Sequence, residues 1–241
     1  MIVLFTDFGW SGPYVGQVKA RILERAPVVP IVDLLHDAPP YDIRRASYLL
    51  ASYAAAFPPG THFLAVVDPG VGSNLREPVI VEADGRLFIG PGNGLFDQIT
   101  AQSHHHHQWK IVWRPSNLSA TFHGRDLFAP VAAMLANGVA PGALGVPMEW
   151  RTQRWPLDLA EVIYIDPYGN GVTGLRAQQY PKLRKLTIGS VSLNRHRTFA
   201  DVTPGAPFFY ENANGMLEIA VNQARADMQL QLHIGTPVEL S

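Results

Sequence analysis

The 241-residue chain contains no cysteine. That excludes a disulfide framework, a thiolate metal site and a cysteine nucleophile. Lysine is scarce too, with 4 against 15 arginines, and the 19 basic side chains are balanced by 20 acidic ones. No basic excess advertises a nucleic acid or a membrane surface as partner. No apolar run approaches the ~20 residues that a membrane-spanning helix requires. Met1 leads straight into the apolar Ile2–Phe5 run without a basic leader. A signal peptide is therefore not expected, and the expected location is the cytoplasm. What is abundant is apolar: 47% of residues are hydrophobic and only 16% charged. Such a chain builds a globular core and is not a disordered tail.

The first half alternates short apolar runs with helical periodicity. Strands are expected at 2–5, 28–32 and 62–67, and a hairpin at 79–83 and 86–90 around Asp84-Gly85. Helices are expected at 14–25, at 42–55 with Asp42 as N-cap, and at 126–137. This order predicts a mostly parallel sheet covered by helices. The second half has short runs at 161–165, 172–175, 185–193, 197–202, 207–210, 216–221 and 228–233, and no helical period. It predicts a smaller, antiparallel, β-barrel-like domain. The division read from the sequence is an α/β domain over 1–145, a linker over 146–158 and a β domain over 159–241.

Four segments place polar residues where apolar strands end, the usual ligand position in an open parallel sheet. Thr6-Asp7-Phe8-Gly9 follows the first strand. Its carboxylate suits two vicinal ribose hydroxyls, or equally the cap of the next turn. Asp68-Pro69-Gly70-Val71-Gly72-Ser73 follows the third, with Arg76 in the same loop as a potential ion-pair partner. It lacks the Gly-Lys-Ser/Thr ending of a triphosphate loop. Thr121-Phe122-His123-Gly124-Arg125-Asp126 sets a histidine before a helix, as a general base or as a packing residue. Asp166-Pro167-Tyr168-Gly169-Asn170 is either a ligand-edge contact or an ordinary β-turn. The four histidines 104–107 cannot all face one ion, and a solvated loop tip is expected there.

Together VVDPGVGS, PGNGL at 91–95, TFHGRDLFAP and IDPYGN, between TDFG and NGMLEIAVN, resemble one family over nearly the whole chain. It is that of the S-adenosyl-L-methionine (SAM) hydroxide adenosyltransferases, which is related to the fluorinases and chlorinases. The resemblance implies that water, activated as hydroxide, attacks ribose C5′ and expels methionine, giving adenosine and L-methionine. SAM would be substrate, with no cofactor and no metal. It implies Asp68, Arg76 and His123 as the water-activating set. It implies Asp7, Phe8, Tyr41, Asp166, Tyr168, Asn170 and Asn214 as substrate contacts, and a homotrimer with active sites between subunits. Three positions depart from the pattern. The arginine comes one residue late, with Leu75 in its usual place, Gly12 stands where an acid is common, and Ala213 replaces a serine. Asp68 speaks against a halogenase, because its charge would repel an incoming halide. Alternatives left open are a SAM- or nucleoside-binding protein without efficient turnover, a SAM-dependent halogenase and a metal-dependent hydrolase using the histidine run.

Overall fold

The computed structural model describes residues 1–149 and 155–241. Two units form, Met1–Ala51 with Phe57–Trp155, and Pro156–Ser241 with Ser52–Ala56. The first is built on the strands β1 (Ile2–Thr6), β2 (Ile31–Leu35), β3 (His62–Val66), β4 (Pro78–Ala83), β5 (Arg86–Pro91), β6 (His106–Ile111) and β7 (Gly145–Pro147). They form one seven-stranded sheet in the order β2-β1-β3-β5-β4-β6-β7. The four strands β2, β1, β3 and β5 are parallel neighbours. Antiparallel pairing of β4 with β5 and with β6 turns β6 the same way, so only β4 and β7 run against the rest. The helices are α1 (Tyr14–Leu23), α2 (Ile43–Ala54), α3 (Asp97–Gln102), α4 (Ala129–Ala136) and α5 (Pro141–Leu144).

Both faces of the central strands are covered, which is why their apolar runs are continuous rather than alternating. Ile2, Leu4, Leu64 and Ile89 pack with Val18 and Ile22 of α1 and Val131 and Leu135 of α4. Val3, Phe5, Phe63 and Phe88 are equally buried on the other side. There Phe63 stacks on Phe88 at 4.8 Å, and Phe88 meets Phe96 at 6.0 Å. Each such burial contributes roughly 1.5–3 kcal/mol. Asp42 caps α2 as expected, its Oδ1 accepting the Arg45 N–H at 3.0 Å.

Several elements differ from the sequence expectation. The second strand begins at Ile31 rather than 28. Val28 sits between Pro27 and Pro30 and is 91% exposed, and the strand starts once the prolines are passed. The short α3 is not visible as a period. The histidine run is only half a loop: His106 and His107 open β6, opposite Ala83 and Glu82. All four side chains stay at the surface.

The second unit contains β8 (Leu159–Ile165), β9 (Gly171–Arg176), β10 (Lys185–Ile188), β11 (Val191–Asn194), β12 (Pro207–Glu211), β13 (Met216–Val221) and β14 (Glu239–Leu240). They form two antiparallel sheets, β12-β13-β9-β8 and β11-β10-β14. Single bridges join Glu161 to Pro237 and Arg195 to Phe209, one at each open side. The pairing thus returns on itself as a barrel-like ring around Leu175, Leu186, Phe209, Leu217 and Ile219. Residues 197–202 and 228–233 are not strands. Phe199–Asp201 is a 3₁₀ turn, and Ala226–Gln229 a single helical turn, α6. The expected linker 146–158 includes residues 150–154, which lie outside the described residues, and its first two residues belong to β7.

Candidate active site

Asp68 leaves the end of β3 and enters two successive turns. Val71 N–H donates to the Asp68 carbonyl at 3.2 Å, and Ser73 N–H to that of Gly70 at 3.1 Å. Gly72 lies in the left-handed region, with φ at 79°. A Cβ there would stand 2.4 Å from the Ala120 carbonyl oxygen, so only glycine lets this loop press against the segment that leads to His123. Asn93, from the Pro91–Leu95 loop, donates its amide to the Val67 carbonyl at 2.9 Å and so braces the chain beside Asp68.

Leu75 turns outward, where it is 88% exposed, while Arg76 turns in and is 8% exposed. The Arg76 guanidinium holds Asp68 with both arms. Nε donates to Oδ1 at 3.1 Å and Nη2 to Oδ2. Both side chains are only 4% exposed, a fork-to-fork ion pair shielded from water. Arg76 Nη2 also donates to His123 Nδ1 at 2.9 Å, and the guanidinium lies 5.5 Å from the Phe128 ring centre. Because Nδ1 accepts, the ring proton sits on Nε2, an assignment made from this bond. Burial, and then the Arg76 charge, hold His123 below the ordinary imidazole range, with Asp68 pulling the other way. The imidazole is neutral near neutral pH. A polar cavity of about 590 Å³, bordered by Gly72, Lys110 and Arg114, reaches Arg76 and His123.

His123 precedes one wide π turn, Gly124–Phe128, closed by the Ala129 N–H on the Gly124 carbonyl and continuing into α4. The neighbours Arg125 and Asp126 pair with each other at 2.7 and 2.9 Å, and Asp126 accepts the Ser119 N–H. They fold the loop and leave the cluster to His123.

Asp7, at the end of β1, accepts the Tyr41 N–H at 3.1 Å on Oδ2. Burial pushes its carboxyl up against that bond and its own N–H, and the Asp68 charge adds to the rise. Tyr41 has a positive φ of 61° and a ring 77% exposed. Phe8 packs edge-on to Phe122 at 5.7 Å, beside Tyr14. The first unit therefore assembles Asp7, Phe8, Tyr41, Asp68, Arg76 and His123 at the ends of β1 and β3.

The second unit has its own cavity of about 600 Å³, lined by Asp166, Tyr168, Asn170, Phe199, Tyr210 and Glu218 among others. Asp166 and Asn170 form the turn that the sequence allowed. The Asn170 N–H and side-chain amide donate to the Asp166 carboxylate at 2.8 and 3.0 Å. Asn214 lies apart, exposed on the Asn212–Gly215 turn. Glu218 was not apparent from the sequence because it sits inside the apolar Met216–Val221 run, and it is 5% exposed. It accepts the Tyr210 hydroxyl, and the Asn212 amide at 2.8 Å. Burial pushes its carboxyl up, those two bonds oppose the rise, and Asp166 adds to it. Burial and the bond to Glu218 also push the Tyr210 phenol up. Among the described residues no three His, Asp or Glu side chains stand together as a metal would require.

The SAM hydroxide adenosyltransferase N-terminal domain model matches residues 2–145, and the C-terminal domain model of that family matches residues 160–239. The chain is 40% identical to an (R)-S-adenosyl-L-methionine hydrolase of Thermus thermophilus, with 99% of this chain and 98% of that protein aligned. It is 24% identical to a fluorinase of Nocardia brasiliensis, over all of this chain and 96% of the relative. A crystal structure of an uncharacterized conserved protein from Thermotoga maritima superposes with a TM-score of 0.92 at 31% identity, each chain covered in full.

Proposed function

From the premise that the chain belongs to the SAM hydroxide adenosyltransferase family, we propose that it hydrolyses SAM to adenosine and L-methionine. The observation that carries this reading is the buried Asp68–Arg76 pair at the end of β3 with the half-buried His123 bonded to it. Displacement at C5′ expels a neutral thioether from a sulfonium, so the leaving group needs no acid. The nucleophile needs a fixed water in line with the C5′–S bond. Asp68, clamped by Arg76, keeps lone pairs free to accept one water proton. The His123 Nε2–H donates to the water oxygen and fixes its direction. As the O–C5′ bond forms, the C5′–S pair passes to sulfur and the water proton moves to Asp68, then to solvent. Arg76 spreads the charge of this cluster.

Asp7 binds the two ribose hydroxyls, and Phe8 and Tyr41 flank the nucleoside. Asp166, Tyr168, Asn170 and Asn214 contact the adenine and the methionine end. These two residue sets belong to separate units, and a homotrimer supplies both to one SAM molecule, each site drawing on two subunits. The reaction consumes only SAM and water, and the protein works in the cytoplasm. No helix among the described residues is long and apolar enough to cross a membrane, which is compatible with that location.

The test is incubation of purified protein with SAM in ¹⁸O-water. Adenosine carrying the label at its 5′-hydroxyl, with an equivalent of methionine, is expected. Tight SAM binding without product would make the protein a binding module instead, and a fully active monomer would remove the shared site.

A further inference from the structure

Beneath the Asp7 loop lies a chain of polar side chains that the proposed chemistry does not use. His36 is fully buried, 0% exposed, immediately after β2. Its Nε2 is 3.0 Å from Asp33 Oδ1, and its Nδ1 is 2.8 Å from the Thr6 hydroxyl. Asp33 holds the Lys19 ammonium of α1 at 2.5 Å. Although burial pushes the Asp33 carboxyl up, the bonds from His36 and Lys19 outweigh it and leave it below the ordinary range. An ionised Asp33 accepts the Nε2–H, so Nδ1 accepts from the Thr6 hydroxyl. Thr6 in turn accepts the Phe8 N–H at 3.4 Å.

A regular strand would send residues 33 and 36 to opposite faces. They meet because β2 is bulged: Leu4 pairs with Asp33 but Phe5 with Leu35. Bulges of this kind re-aim side chains next to functional sites. The backbone repeats the connection. Gly9 N–H donates to the His36 carbonyl at 2.7 Å, and Ala38 N–H to that of Thr6 at 3.1 Å. Asp7 is thus bracketed by Thr6, Phe8 and Gly9, each tied to the His36 strand end. Thr6 is 1% exposed, so its hydroxyl is a strut rather than a nucleophile.

We infer that the Lys19–Asp33–His36–Thr6 chain is a positioning device that aims the Asp7 carboxylate at the ribose hydroxyls and so sets selectivity for ribonucleosides over 2′-deoxyribonucleosides. The inference rests on the ribose role proposed for Asp7. A carboxylate aimed at two hydroxyls discriminates only while its direction is fixed, and among the described residues the bond Asp7 receives from elsewhere is that of the Tyr41 N–H.

The experiment measures dissociation constants of adenosine and 2′-deoxyadenosine by calorimetry for the unmutated protein and for Thr6→Val, Thr6→Ser, Asp33→Asn and His36→Gln. The parent should prefer adenosine. Thr6→Val, Asp33→Asn and His36→Gln should each shrink that preference roughly fivefold or more, the worth of a lost directed bond. Thr6→Ser, which keeps the hydroxyl, should restore it. With SAM, the impaired variants should raise KM with little change in kcat, because the ribose contact is shared by ground and transition states. If the variants melt earlier but keep the full adenosine preference, the chain is merely structural and the inference fails. If the parent itself shows no preference, the Asp7 reading falls, and the inference with it. Thr6→Val and Thr6→Ser alone decide the matter should the other two not fold.

Discussion

The two units handle buried charge in opposite ways. In the first, the carboxylate of Asp68 is met by an arginine with both arms, and the arginine also fixes a histidine. In the second, Glu218 is buried with no ion-pair partner among the described residues and is held by a phenol and an amide, with Asp166 raising its cost. A full ion pair builds a rigid, polarised centre whose groups are already placed for charge that develops during reaction. A carboxyl satisfied by neutral donors inside a cavity keeps a strong acceptor in reserve for a ligand. On the function proposed above, the first unit would carry bond-breaking and ribose recognition, and the second recognition of the adenine and the methionine end.

The sharpest way to break this division is Asp68→Ala. It should lower kcat about 10²–10⁴-fold, the usual worth of a water-activating group, with a much smaller change in KM. Removing one partner of a buried pair also costs about 3–5 kcal/mol of stability, so folding is checked by circular dichroism. Hydrolysis within a few-fold of the parent would overturn the role.

Next in size is Asp7→Asn. Loss of a charged acceptor should raise the dissociation constant for adenosine roughly 10–100-fold, read by calorimetry. The same change should raise the melting temperature near neutral pH. Burial raises the folded pKa of Asp7 above the ordinary value of 3.8. The native state therefore binds this proton more tightly than the unfolded chain does. Stability from this group is greatest below 3.8 and declines as pH rises through the raised value. The amide escapes that penalty, so the gain should vanish in acid. An unchanged melting temperature at pH 7 would contradict the desolvated carboxylate.

Glu218→Gln should act more gently and on binding: KM for SAM up roughly fivefold, with kcat nearly constant, since one donor loses its acceptor. A larger fall in kcat than rise in KM would dissolve the proposed division between units. The smallest effect belongs to Leu75→Ser. With 88% of the residue in water, stability should stay within about 0.5 kcal/mol and turnover within about twofold. A tenfold loss would mean that Leu75, not only Arg76, serves the site.

Much of the first unit is legible because buried parallel strands write themselves as apolar runs ending in TDFG and VVDPGVGS. The second unit is harder. Alternation over four residues reads the same in a strand as in the 3₁₀ turn at Phe199–Asp201 or the helical turn of α6, and neighbours in space decide. Asp68 is conspicuous because it follows a strand end and opens a loop, and His123 because it stands just before a helix. Glu218 is hidden because a carboxylate in Met216–Val221 looks like a misplaced surface residue until Tyr210 and Asn212 are seen around it. His36 is hidden for another reason: the β2 bulge that brings it to Asp33 leaves no periodic mark. Arg76 shows that spacing in a loop is elastic. Its guanidinium reaches Asp68 across eight residues, because Leu75 turns out to solvent and Arg76 turns in.

The π turn at Gly124–Phe128 solves a problem of phase. Successive residues of an α-helix advance by about 100° around the axis. α4 has its own angular demand, since Val131, Ala132 and Leu135 must face the sheet. His123 has another, since Nδ1 must face Arg76. A regular α-helix with the same number of residues would satisfy the first demand and swing the imidazole about 100° off the second. The widened turn is an angular spacer, one residue of slack that uncouples the orientation required by packing from the orientation required by the site. Tightening it to regular α turns without removing a residue would therefore leave a well-packed helix with its histidine aimed wrongly.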